Sequence, residues 1–265
     1  MDNLSRYLTG GLSSVGGWLN PVSATFISSI SQYQRQQSFT GSSGEIGVHH
    51  GKLFLILHML SDPDRPSFAV DLFEQQNLNA DASGKGDYDT FRRNLEKWTG
   101  RADAVKVFQG SSLELDPSEI VAACGRSRLF SVDGGHTIDC TRNDLQIAEA
   151  VSEPHGVVVI DDVFNEFFPE VSIGLQAYMV EGGLRPFAIT PNKLYLSHPQ
   201  FAGAYRDWLR SRWDKRYEKT SEMYGSQVDL FGVRFASYPE WKRVLRDSPL
   251  YPALKRFKSS LIERD

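Results

Sequence analysis

Cysteine is nearly absent. The chain has two in 265 residues, Cys124 and Cys140, and neither belongs to a CxxC pair. That excludes a disulfide scaffold and a cysteine-based metal site, and it fits a reducing compartment. Long apolar runs are missing as well. The longest, Leu53 to Leu60, is interrupted by His58 and is far too short to cross a bilayer. The opening Met1-Asp2-Asn3 lacks a basic-then-apolar leader, so a cytoplasmic protein without a membrane span is expected. There is no internal repeat, no low-complexity block, and no GxSxG, HExxH or Walker pattern. Neither sign of charge dominates. The 29 Lys and Arg stand against 33 Asp and Glu, a net −4 that argues against a nucleic-acid binder. The distribution is uneven. Residues 1–204 hold 15 basic and 24 acidic side chains, whereas residues 205–265 hold 14 and 9. The basic tail suits either a solvated helical face or an anionic partner.

Hydrophobic residues make up 40% of the chain, enough for a sizeable core, and the length suits one large α/β domain or two small ones. The first forty residues, rich in Ser and Gly, read as an appendage with a helix from Val22 to Gln37. From Gly44 the chain alternates. Short apolar runs at Gly44–Val48, Ser67–Leu72, Val105–Phe108, Leu129–Val132 and Val157–Ile160 read as strands buried on both faces of a parallel sheet. Helices are expected between them at Lys52–Leu60, around Phe91, Leu95 and Trp98, at Pro117–Cys124 and at Asn143–Val151. Pro169–Met179 is a further helix, and Leu184–Thr190 with Lys193–Ser197 reads as a hairpin turning at Pro191-Asn192. A long helix from Ala202 to Met223, a last strand at Val228–Phe235 and a helical region over residues 239–262, broken by Pro249 and Pro252, complete the expectation. The pattern is α/β: a doubly wound, mostly parallel sheet with helices on both faces, whose ligands bind outside the carboxyl ends of the strands.

The chemistry-bearing residues gather at those ends. The first strand runs into Glu45-Ile46-Gly47-Val48-His49-His50-Gly51. Gly47 and Gly51 permit a tight turn and a close backbone approach, while Glu45 speaks against a pyrophosphate and for a cationic, sugar-bearing ligand. An ordinary turn satisfies the same residues. Asp71, at the end of the second strand, is placed either to accept from a ribose diol or to cap a helix. Ser111 and Ser112 after the third strand can border an adenine or cap a helix. The fourth strand ends at Asp133, followed by Gly134, Gly135 and His136, and the fifth ends at Asp161-Asp162. Three converging carboxylates repel one another, a conflict that a hard divalent cation resolves. Helix caps and an Asx turn are the alternative. His136 is a candidate general base. The polar segment from Glu74 to Gly86 is long for a connection and is a candidate lid.

EIGVHHG, AVDL, DGGHTIDCTRNDL and VVVIDD together resemble the class I S-adenosylmethionine-dependent methyltransferases. The resemblance is to the branch of metal-dependent sugar and natural-product O-methyltransferases and relatives of cephalosporin hydroxylase, and it covers about residues 40 to 200. It implies a Rossmann-like, seven-stranded sheet over residues 41–236, with residues 1–40 an N-terminal helical appendage and residues 237–265 a C-terminal helical extension. It further implies that Glu45, Gly47 and Gly51 line the methionine end of S-adenosyl-L-methionine, that Asp71 holds the ribose, that Ser111 and Ser112 border the adenine, and that Asp133 faces the cofactor. Asp133, Asp161 and Asp162 would ligate a divalent cation, Mg²⁺ first, with His136 and Asp133 in the chemistry. The implied acceptor is a sugar or glycosylated metabolite, and a homo-oligomer is compatible. Val48-His49-His50 and Ile138 depart from the pattern. Two other classes stay open: a hydroxylase-like metal enzyme on the same scaffold, and a cofactor-binding protein without turnover.

Three weaker patterns remain. Asn79 to Gly84 faintly resembles a calcium loop, but its twelfth position is Thr90. Asp62-Pro63-Asp64 has the D-x-D spacing of metal-using glycosyltransferases, and its central Pro favours a turn. Tyr205, Trp208, Trp213 and Tyr217 at helical spacing suit a packed core face better than an acceptor platform.

Overall fold

The computed structural model describes residues 2–79 and 81–236. The region expected to be helical over 239–262 lies outside the described residues. A short α1 (Asn3–Arg6) precedes α2 (Pro21–Gln36), whose start is set by Asn20: its side chain accepts from the Val22 N–H, and Pro21 occupies the first turn. The chain then runs β1 (Ser42–Ile46), α3 (Phe54–Leu60), β2 (Ser67–Asp71), α4 (Tyr88–Thr99), β3 (Val105–Gln109), α5 (Pro117–Cys124), β4 (Ser127–Val132), α6 (Ile138–Val151) and β5 (Ser152–Asp161). It ends with α7 (Pro169–Glu181), β6 (Arg185–Thr190), β7 (Lys193–Ser197), α8 (Pro199–Arg212), β8 (Tyr217–Met223), β9 (Ser226–Phe231) and α9 (Val233–Ala236).

One sheet holds all nine strands, in the order β3-β2-β1-β4-β5-β7-β6-β9-β8. Strands β1 to β5 are mutually parallel, and β7 enters antiparallel between β5 and β6. The chain winds outward from β1 to β3, returns to β4 and continues the other way. Winding therefore reverses between β1 and β4, where such sheets form their ligand crevice. Apolar residues of one strand feed both faces. In β5, Val157 and Val159 join the core layer with α2 and α3, while Val158 and Ile160 join the layer with α6 and α7. This is why these strands read as unbroken apolar runs.

Three expectations are corrected. The sheet has nine strands among the described residues, not seven, and the helix expected from Ala202 to Met223 stops at Arg212. Residues from Tyr217 form strand β8, paired antiparallel with β9. Glu, Lys and Arg are good helix formers, which misdirects a propensity reading here. The decisive feature is the two-residue turn at Tyr224 (φ 51°) and Gly225 (φ 70°), the positive-φ pair of a type I′ hairpin. Similarly, α6 begins at Ile138 rather than Asn143, capped by Thr137 accepting from the Cys140 N–H.

The helix in the first forty residues lies against the sheet. Phe26, Ile27 and Ile30 are fully buried in the same layer as β5 and α3. Arg128 of β4, fully buried, fastens it: the guanidinium donates to Gln34 Oε1 at 2.7 Å and Ser31 Oγ at 3.1 Å, and pairs with Asp62 at 3.5 Å. Asp62 also accepts from the Gly41 N–H, so the D-x-D spacing serves a turn and a buried cation. Tyr205 and Trp213 pack on this side, Tyr205 against Tyr33 and Trp213 against Phe26. Neither lines the large cavity at the strand ends, in keeping with the core-face reading.

Candidate functional site

A cavity of about 850 Å³ opens at the carboxyl ends of β1, β2, β4 and β5. Glu45, Gly47, Asp71, Ser111, Ser112, Asp133, His136, Asp161 and Asp162 all line it. Gly51 does not: a Cβ there would meet the Phe91 ring at 2.9 Å, so this glycine serves the packing of α4. Gly47 marks the crossing of β1 and β4. Its φ is 82°, and a Cβ would fall 1.7 Å from the Asp133 carbonyl oxygen, which no side chain can satisfy. Non-glycine residues in the left-handed region also gather at this rim: His49, Asp162 and Asn192. Such strain concentrates at functional sites.

Asp71 is already engaged. One oxygen accepts from the His49 N–H at 2.7 Å and the other from the Phe73 N–H at 2.6 Å, holding the turn after β1 against the end of β2. Each carboxylate oxygen has a second lone pair, so this does not block a further donor. Ser111 accepts from the Leu113 N–H at 3.3 Å and so caps a short turn while lining the cavity.

The ends of β1, β4 and β5 and the start of β7 build the acidic edge. Glu45 is 2% exposed, and one of its oxygens has no partner among the described residues. Burial, followed by the nearby Asp133, holds its carboxyl well above the ordinary range. Burial and then Asp161 do the same to Asp133. Asp161 itself faces Lys193, with Nζ at 2.5 Å from one oxygen, while Asn192 donates to the other at 2.8 Å. Lys193 is 2% exposed. Burial disfavours its charge, but Asp161 and Asp133 outweigh that and raise its pKa.

His136 sits between two carboxylates. Its Nδ1 lies 2.7 Å from Asp81, its Nε2 lies 3.2 Å from Asp162, and its ring stacks on Phe168 at 3.8 Å. Burial works against the imidazolium, yet the hydrogen bonds to Asp162 and Asp81 push its pKa up to about 9. Asp162 is held at about 2 by the same imidazole and by Asn165 and Asn192, against the effect of burial. Asp81 comes from the segment expected to be a lid. It also accepts from the His136 backbone N–H at 2.6 Å, and Ser83 Oγ lies 3.0 Å from the ring. Gln76, Leu78, Asn79, Ser83, Gly84 and Gly86 of this segment line the cavity, so it forms part of the wall.

Donor atoms of Asp133, His136 and Asp162 lie within 4.8 Å of one another, a spacing that suits a divalent cation. This differs from the expected set in one member, with Asp161 turned to Lys193 and His136 in its place. Four residues of the edge escape a sequence reading: Asp81, Lys193, Asn192 and Asp144. Asp144 is buried in α6 against Gly134, and burial pushes its carboxyl up to about 7.

Residues 45–163 match the model of a family described as a methyltransferase domain. The comparison with curated proteins found no match. Among solved structures, the O-methyltransferase NovP superposes with a TM-score of 0.54 at 16% identity, over 66% of this chain and 79% of that one. An O-methyltransferase from Bacillus cereus, solved with SAH, gives 0.51 at 16% identity, over 73% and 89%. At these identities the structural likeness speaks for the fold. No helix among the described residues is long and apolar enough to cross a membrane. Residues 45–163 are thus similar in sequence to a methyltransferase domain, and the sheet is similar in architecture to that of these O-methyltransferases.

Proposed function

We propose that the chain transfers a methyl group from S-adenosyl-L-methionine to a hydroxyl of a small acceptor, a sugar or a glycosylated metabolite, with help from a divalent cation. The observation that carries this reading is the meeting of Gly47, Asp133, His136 and Asp162 in one cavity at the point where the sheet's winding reverses. In it the methionine end of the donor lies along Glu45 and Gly47, the ribose at Asp71, and the adenine at Ser111 and Ser112. The buried, unpartnered Glu45 oxygen suits a cationic group.

The sulfonium methyl needs no further activation, so the protein's task is to align the acceptor oxygen and make it nucleophilic. Of the three clustered residues, Asp133 and Asp162 would hold the cation, with acceptor and water oxygens completing an all-oxygen set that suits Mg²⁺, while His136 stays off the cation and serves as the base. When bound, the cation lowers the pKa of the acceptor hydroxyl. His136 accepts the proton at Nε2 and is oriented at Nδ1 by Asp81. Between two carboxylates the imidazole keeps its own proton at neutral pH, so it becomes a base only when Asp162 is engaged elsewhere. Lys193 neutralises Asp161, which leaves Asp133 and Asp162 as the carboxylates to face the cation.

Labelled methyl transfer to a panel of glycosides tests the reading. His136→Gln should lower kcat roughly 100-fold or more while donor binding persists. Label that stays on the donor while oxygen is consumed would replace this reading with the hydroxylase-like one.

A further inference from the structure

Part of the cavity wall comes from outside the stretch that matches the methyltransferase domain. Gly16, Gly17 and Trp18 line the cavity, as do Glu45, Gly47, His49 and Lys52 of the β1 end. Leu12 and Val15 bury this N-terminal segment in the core, and Tyr7, fully buried, fixes its start with its ring edge-on to Trp98 at 5.0 Å. The Tyr7 hydroxyl donates to the Lys52 carbonyl at 2.9 Å, and the Lys52 Nζ donates to the Gly17 carbonyl at 2.7 Å. Lys52 therefore ties the segment down at both ends. Gly17 has a φ of 116°, and a Cβ there would lie 3.6 Å from both His49 Nδ1 and Lys52 Cβ, so the segment sits directly on the turn after β1. Trp18, at its tip, is 84% exposed, with its ring 6.0 Å from that of His49.

Lys52 stands at the same end of the cavity as Glu45. Burial, and after it the charge of Glu45, hold the Tyr7 phenol above its ordinary range, so the Tyr7 hydroxyl, the Lys52 backbone and the Glu45 carboxyl are neighbours. The two side chains offer opposite chemistry. Glu45 has one buried oxygen with no partner among the described residues. An ammonium has three N–H donors, and the Gly17 carbonyl takes one of those on Lys52. The other two serve the cavity that Lys52 lines, whose wall holds no other lysine and no arginine among the described residues. The amino-acid end of S-adenosyl-L-methionine carries one ammonium and one carboxylate. A buried acid suits the first. The second needs donors, and a charged donor makes the stronger bond.

We propose that Lys52 is a specificity-determining residue for the donor: it binds the carboxylate of S-adenosyl-L-methionine with the N–H groups that Gly17 leaves free, and so joins the N-terminal segment to the bound ligand. The assignment rests on the methyltransferase reading. It has two consequences. The chain tells donors apart by their carboxylate, and residues 12–18 are held more firmly when a carboxylate-bearing ligand is in place.

Calorimetric titration of the full chain tests it with two probes, S-adenosylhomocysteine and its decarboxylated form, which keeps the amine. The native chain should bind S-adenosylhomocysteine about tenfold more tightly or better, the scale of one charge-assisted contact. Lys52→Gln keeps a donor for Gly17 and loses the charge. It should weaken S-adenosylhomocysteine by about the same factor and leave the decarboxylated form within about twofold. Amide hydrogen exchange over residues 12–18 of the native chain should slow with S-adenosylhomocysteine and not with the decarboxylated form. Equal affinity of the native chain for both probes, or equal weakening of both in Lys52→Gln, would overturn the assignment and leave the methyltransferase reading standing. Exchange indifferent to the carboxylate would overturn the link to the N-terminal segment. Binding of neither probe by the native chain would overturn the methyltransferase reading and the assignment with it.

Discussion

Lys193 changes the character of the acidic edge. A sequence reading sees Asp133, Asp161 and Asp162 converge and concludes that a cation must resolve their repulsion. Part of that cation is built into the chain. Lys193 stands opposite Asp161 because β7 pairs antiparallel with β5, and the register places the two residues side by side. Nothing near Lys193 in sequence announces this, since the partner is set by a strand pairing across 32 residues. Asp71, Gly47 and the Asp133–His136 turn were legible because each sits at the end of its own strand. Asp81 was not, because its partner His136 is 55 residues away. Replacing Lys193 by Met should leave buried, mutually repelling carboxylates, at a cost of about 3 kcal/mol. Added Mg²⁺ should recover part of that loss, so that the melting temperature of Lys193→Met rises with Mg²⁺ more steeply than that of the native chain. Equal Mg²⁺ responses would show that Lys193 does not neutralise the edge.

The segment from Glu74 to Gly86 acts at the scale of an element. Its length and polarity announced a loop over the ligand edge, and it does lie there, but its fastening was hidden in a pattern that faintly resembled a calcium loop. Asp81 reaches His136 instead, through both the backbone N–H and the ring. Asp81→Ala removes both contacts, and Ser83 alone should not hold the segment. Amide hydrogen exchange over residues 74–86 should quicken at least several-fold in this variant, with protection of β1 and β4 unchanged. Unaltered exchange there would mean that the segment is held by other contacts. The misread stretch after Arg212 teaches the complementary lesson. Helix-favouring residues form the edge strand β8 because a Tyr-Gly turn returns the chain onto β9, and an edge strand tolerates Lys and Glu well.

For the whole molecule, the parallel half of the sheet was legible because strands buried on both faces are apolar at every position. The antiparallel end was less so, because a strand count depends on hairpins signalled by two residues each. Stability carries a mark of the same burial. His58 is 3% exposed between α3 and β2, its Nδ1 2.9 Å from Ser67 Oγ. Burial, followed by the nearby Arg101, lowers its pKa from 6.5 to about 4. Unfolded, it takes up a proton near pH 6.5; folded, it resists protonation until about pH 4. Its contribution is therefore full above pH 6.5 and is lost as the pH falls toward 4, on the order of 3 kcal/mol in total. Urea unfolding across that window should show a shallower decline in His58→Gln than in the native chain; parallel declines would place the pH dependence elsewhere.

The central claim is that the cavity at the β1/β4 reversal holds S-adenosyl-L-methionine. Calorimetric titration of that donor into the full chain, with Mg²⁺ and again with EDTA, tests it most directly, with Gly47→Val as the control that fills the crossing with side chain. Saturable micromolar binding is expected in both conditions, with Mg²⁺ needed for turnover and not for the donor, and its loss is expected in Gly47→Val. Absence of binding in either condition, or binding unchanged in Gly47→Val, would contradict it.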